Sequence, residues 1–109
     1  YLCAELSKVG IAYVHIMRAD FFGVQKGDAV TWVRESFTGT VIANMGYDVA
    51  EAEAAIASGK VDAIAFGTKF LANPDLPARA LAGHALQNPD QATFYTHEAA
   101  GYTDYPTMA

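Results

Sequence analysis

Two short turns carry the residues best suited to chemistry. The run Ile64-Ala65-Phe66 ends in Gly67-Thr68-Lys69, and the run Thr40 to Ala43 leads into Asn44-Met45-Gly46-Tyr47-Asp48. Glycine lets a backbone approach a ligand closely, and N–H groups left free at a turn or helix start offer donors and a partial positive charge to an anion. A helix end contributes about 0.3 to 2 kcal/mol to holding an anion, whereas a cation at ~4 Å gives about 4 kcal/mol at an effective dielectric of 20. Lys69 is the local cation candidate. A tight turn also calls for glycine on conformational grounds alone, so the residue pattern leaves anion binding and plain turn geometry both open.

The elements that must position these turns follow from periodicity. Leu2, Cys3, Leu6 and Val9 recur near helical spacing with Gly10 as a stop, and Ile11 to Met17 is a β-branched and aromatic strand run. After a loop from Arg18 to Gly27, Asp28 caps a helix whose Val30, Trp32, Val33 and Phe37 form an apolar stripe, with Gly39 beyond its end. Thr40 to Ala43 is a second strand, Asp48 caps an Ala- and Glu-rich helix over Val49 to Ser58, and Gly59 closes it. Val61 to Phe66 is a third strand. A last helix starts at Asn73 or Asp75, runs through Leu81 and ends at Gly83. Residues 84–109 form a polar tail with many aromatics.

The predicted order is αβαβαβα, with short connections and no alternation within the strands, which points to an α/β fold with a parallel sheet buried on both faces. VIANMGYD and AIAFGTKF form a weak internal repeat of strand, glycine turn and helix. Three parallel strands leave two unpaired edges that something must cover. A complete eight-stranded βα barrel needs about 200 to 250 residues, so this chain reads as a single segment, 1–109, from the C-terminal part of a TIM (βα)8 barrel. A start without Met, inside a helical pattern, agrees with a piece of a longer chain. In such barrels function gathers at the C-terminal strand ends, so both turns are expected side by side on that face.

Composition narrows the function classes. The 109 residues are 52% hydrophobic and 17% charged, as expected of a folded chain. The net charge is −5 with scattered basic residues, which disfavours nucleic acid. No run approaches the ~20 apolar residues of a membrane span, and a soluble cytoplasmic protein is the reading. Cys3 lacks a disulfide partner and is read as a packed helix residue; no Cys/His spacing resembles a metal site. Trp32 is read as core, His15 as a hydrogen-bonded core histidine, and His84 and His97 as surface residues.

IAFGTKFLANPDL (Ile64 to Leu76) and AAGYTDYP (Ala99 to Pro106), with IANMGYD (Ile42 to Asp48) upstream, resemble the C-terminal portion of the Old Yellow Enzyme family of FMN-dependent ene-reductases. IAYVHIM (Ile11 to Met17) resembles the family's sixth strand, so the chain would supply about strands six to eight with their helices. The resemblance implies an FMN-binding barrel in which NADH or NADPH reduces the flavin, and the flavin reduces an activated alkene such as an enone, enal, maleimide or nitroalkene. It places Met45, Gly46, Gly67 and Thr68 around the FMN phosphate, with Lys69 as a candidate where many members carry Arg at position 68. Adjacent residues at a strand end point oppositely, which favours Gly67 and Thr68 over Lys69. Tyr95 of TFYTHEAAGYTDYP matches the family's substrate-side tyrosine, although Thr96-His97-Glu98 replaces the usual glycines. Tyr102, Asp104, Tyr105 and Pro106 are read as pinning the tail against the barrel.

The family's substrate-binding His/Asn or His/His pair and its proton-donating Tyr belong to earlier strands. No catalytic residue is therefore assigned in this chain, and the partner it calls for is the remaining N-terminal part of the barrel. The alternative is a non-catalytic partial-barrel module that self-associates and can bind a phosphate ligand.

Overall fold

Gly10 ends the first helix in the left-handed conformation (φ 75°, ψ 36°), its N–H donating to Leu6 O and Ser7 O, and the chain then turns into its first strand. In the computed structural model, which describes residues 1 to 108, the order is α1 (Leu2–Val9), β1 (Tyr13–Met17), α2 (Ala29–Ser36), β2 (Thr40–Asn44), α3 (Val49–Ala57), β3 (Ala63–Ile64), α4 (Thr68–Ala72) and α5 (Leu76–Leu81), followed by a 3-10 turn at Gln91–Thr93. The strands form a parallel sheet in the order β1-β2-β3, with Tyr13 opposite Thr40, Met17 opposite Asn44 and Ala43 opposite Ile64. The chain divides into two units, one spanning residues 1–65 and one starting at Phe66.

The first unit holds the sheet and its core of Val30, Val33, Phe37, Val41, Ala43 and Val61, against which Cys3, Leu6, Val14 and Ile16 pack. Both expected caps form. Asp48 accepts from the Glu51 N–H while Glu51 reaches back to the Asp48 N–H, a reciprocal capping box, and Asp28 accepts from the Thr31 N–H. Arg34 closes α2 by donating to Phe37 O and Gly39 O at 2.8 Å each, and to Asp62 at 2.9 Å. The same Asp62 carboxylate takes the Val41 N–H at 2.7 Å. That bond first, and Arg34 second, hold the Asp62 carboxyl below its ordinary range.

Several expectations fail for physical reasons. Within this segment the helices cover one face of the sheet: along β1, Val14 and Ile16 are half-buried while Tyr13, His15 and Met17 are exposed. Within this segment His15 is exposed. Trp32 is no core residue, with 59% of its surface exposed. The α2 stripe is Val30, Val33 and Phe37; Trp32 lies two residues from Val30, off that face. It packs over Gly27 instead, where any Cβ would meet the indole ring. The third strand is shorter than Val61 to Phe66, since the last ladder bond is from Ala65 N–H to Ala43 O, at 2.9 Å.

The second unit buries Ala72 and Leu76 and carries a set of polar ties. Asn73, fully buried, donates to Lys69 O and Gln87 O and accepts from the Gln87 N–H at 2.7, 3.1 and 2.8 Å. Asp75 accepts from the Met108 N–H and from Arg79, and Arg79 also donates to Pro106 O. The tail aromatics take part as well: Tyr105 Oη accepts from the Asp90 N–H. Among the described residues no helix is long and apolar enough to cross a membrane.

Candidate functional site

At the end of the third strand the chain passes through Gly67 into the five-residue helix α4, which the sequence reading had as a turn leading to the last helix. Leu71 N–H is the first to donate back along it, to Gly67 O at 3.0 Å. The N–H groups of Thr68, Lys69 and Phe70 are left without a partner inside the helix, as at any helix start. A Cβ added to Gly67 would meet nothing within 4 Å, so its outer side is open.

Gly67 and Thr68 line a cleft of about 210 Å³ with Leu71, Phe94, Tyr95 and Tyr102. The structure thus brings three sequence-predicted residues, Gly67, Thr68 and Tyr95, into one place. Tyr95 is 88% exposed and holds a positive φ of 63°, rare for a non-glycine residue. Its N–H donates to Tyr102 Oη at 3.0 Å, and its ring stands edge-on to Phe94 with centroids 6.4 Å apart. Lys69 does not line this cleft; its Nζ donates to Asn88 Oδ1 at 2.6 Å. The local cation is engaged elsewhere.

The other predicted residues, Met45 and Gly46, belong to the first unit and follow β2. Both are left-handed, with φ of 81° and 72°. Arg18, at the end of β1, donates from Nε to Met45 O at 2.7 Å and from Nη2 to Gly46 O. Its guanidinium also lies 3.8 Å from the centre of the Tyr47 ring and 3.1 Å from Glu51 Oε2. The Arg18 bond is the main reason the Glu51 carboxyl sits below its ordinary range, with the Asp48 N–H second. Sequence reasoning left Arg18 in a loop and missed it; a basic residue just past a strand end gives no signal of where it will point. Beside this turn, Asn44 Oδ1 is buried without a hydrogen-bond partner among the described residues.

Chemically, both strand ends offer what an oxygen-rich anion needs. Each combines a glycine with backbone donors that have no protein partner among the described residues, and the first adds an amide acceptor, Asn44 Oδ1, likewise without a partner there and suited to a hydroxyl. The mainly apolar cleft at Tyr95 suits a small organic ligand.

No protein-family model matches the chain. Over 108 residues it is 50% identical to a Leishmania infantum protein described as a probable flavin mononucleotide-dependent alkene reductase, a match covering 99% of this chain and 29% of that protein. It superposes on the structure of the old yellow enzyme from Trypanosoma cruzi with a TM-score of 0.96 and 48% identity, again over 99% of this chain and 29% of the other. Morphinone reductase in complex with tetrahydroNAD gives a TM-score of 0.87 at 39% identity, over 100% and 29%. The chain therefore spans about 29% of the length of these proteins.

Proposed function

We infer that this chain, which has the sequence and fold of the C-terminal portion of the Old Yellow Enzyme family, supplies the FMN-phosphate end and one pocket wall of an ene-reductase. The barrel's remaining strands would come from the N-terminal part of the protein, and this segment would contribute about strands six to eight. Bound FMN would supply hydride transfer from NADH or NADPH to the β-carbon of an activated alkene such as an enone, enal, maleimide or nitroalkene. Morphinone reductase, solved with a nicotinamide analogue, supports the choice of reductant.

The chain's own residues have narrower tasks. Backbone N–H groups at Met45-Gly46 and at Gly67-Thr68 would hold the phosphate, Asn44 would accept from a hydroxyl of the cofactor's chain, and Tyr95 would bound the substrate. Lys69, tied to Asn88, would stay outside the phosphate contacts. The observation that carries the reading is the cleft in which the Gly67-Thr68 turn meets Tyr95 from the tail. The two landmarks lie 27 residues apart in sequence, and the folded tail brings them to one cleft.

The test is a chimera in which residues 1–109 replace the matching segment of the Leishmania infantum relative. A yellow protein that retains FMN and reduces cyclohexenone or N-ethylmaleimide with NAD(P)H is expected. A folded but colourless and inactive chimera would sink the proposal. In the segment alone the β1 face of Tyr13, His15 and Met17 is exposed, and a second reading, a non-catalytic module that self-associates, would cover it with another copy. An isolated chain that forms a monodisperse oligomer and ignores FMN would support it.

A further inference from the structure

We propose that Arg18 is a positioning residue that sets the Met45-Gly46 turn as a two-donor anion nest for the flavin phosphate, an inference that rests on the FMN-phosphate reading above. In a trans peptide the C=O and the N–H point in opposite directions, and no described peptide bond here is cis. Arg18 draws Met45 O and Gly46 O toward one guanidinium. The N–H partners of those two carbonyls, on Gly46 and Tyr47, must then both point away from Arg18, toward a common side.

Neither of these N–H groups donates to a protein acceptor among the described residues. Two neighbouring donors aimed one way with nothing to bind form an anion site of the kind built from backbone nests. The arrangement needs help to persist, because Met45 holds a φ of 81° that side chains other than glycine rarely adopt. The help comes from the guanidinium, itself fixed by the Tyr47 ring and by Glu51 Oε2. Glu51 in turn accepts the Asp48 N–H at 3.2 Å, so the clamp is continuous with the cap of α3.

Arg18 is not the phosphate ligand on this account. Its Nε and Nη2 are committed to carbonyls, and Nη2 also serves Glu51. What it contributes is the direction of two other residues' donors. A lysine could satisfy one carbonyl but lacks the planar fork that holds two.

The experiment uses the complete barrel protein carrying this segment and compares affinities for FMN and riboflavin, which differ only in the phosphate. Arg18→Met should weaken FMN about tenfold or more, the scale of losing a hydrogen bond to a charged group, while riboflavin changes by less than about twofold. Arg18→Lys should fall between wild type and Arg18→Met for FMN alone. Equal weakening of both flavins would mean a merely structural tie and overturn the proposal. A wild-type protein with no preference for FMN over riboflavin would overturn the phosphate reading itself, and this proposal with it. Because Arg18→Met could unfold the turn altogether, a second measurement uses the wild type: the amide protons of Gly46 and Tyr47 should move downfield in NMR spectra with FMN but not riboflavin. Unmoved amides would overturn the proposal.

Discussion

The two glycine turns look alike in sequence and are held by different means. Met45-Gly46 is fixed from a distance, by an arginine 27 positions earlier that grips its carbonyls. Gly67-Thr68 is fixed locally, by the helix that begins there and by Asn73, which binds Lys69 O and the chain at Gln87. The difference teaches that a shared strand-glycine pattern marks where a backbone turns, not what holds it. A local support is readable from neighbouring residues, whereas a side chain reaching across strands is not.

The largest effect should come from removing the local support of the second turn. Asn73→Ala leaves the Gln87 N–H and two carbonyls without their partner in a fully buried site. A loss of about 2 to 4 kcal/mol in urea unfolding is expected. A change below about 1 kcal/mol would break the contrast between the turns. Next, Gly101→Ala should cost about 2 to 3 kcal/mol, because Gly101 is buried at φ 80° and a Cβ there would strike Thr93. Thermal unfolding with near-unchanged stability would contradict the tight tail packing that shapes the Tyr95 side of the cleft.

These predictions show what the sequence made legible. Helix caps at Asp28 and Asp48, the stop at Gly10 and the parallel order of strands follow from local residue chemistry, and all are present. The failures concern facing and reach. His15 lies on the sheet face that this segment's own helices leave uncovered, a matter of facing that local residue chemistry does not encode. Trp32 is apolar but out of phase with the buried stripe of α2. Helix α4 was hidden because it spans five residues between Gly67 and Asn73-Pro74, too few for periodicity to register. Gly67, Thr68 and Tyr95, singled out by their motifs, line one cleft, while the reach of Arg18 and the tie of Lys69 to Asn88 depend on long-range geometry.

Smaller changes sharpen the comparison. Met45→Gly removes the left-handed strain that Arg18 opposes and should recover about 1 kcal/mol of the stability lost in Arg18→Met. No recovery in that double-mutant cycle would show that Arg18 does not hold the turn. Asp75 gives an effect confined to acid. Its carboxyl is held below the ordinary range, first by the Met108 N–H and then by Arg79. A depressed folded-state pKa adds stability that is fully present above the unfolded value of about 3.9 and is lost as pH falls through the folded one. Asp75→Asn should flatten that acid limb, and an unchanged pH profile would count against it. The least effect belongs to Lys69→Met, which should leave FMN affinity within about twofold, since Lys69 faces Asn88; roughly tenfold weakening would return the lysine to the phosphate site.

The most direct test is a crystal structure of the complete FMN-loaded barrel carrying this segment. The account predicts phosphate oxygens about 2.7 to 3.2 Å from the backbone nitrogens of Gly46 or Tyr47 and of Thr68. A phosphate held by other residues, with both turns empty of ligand, would contradict it.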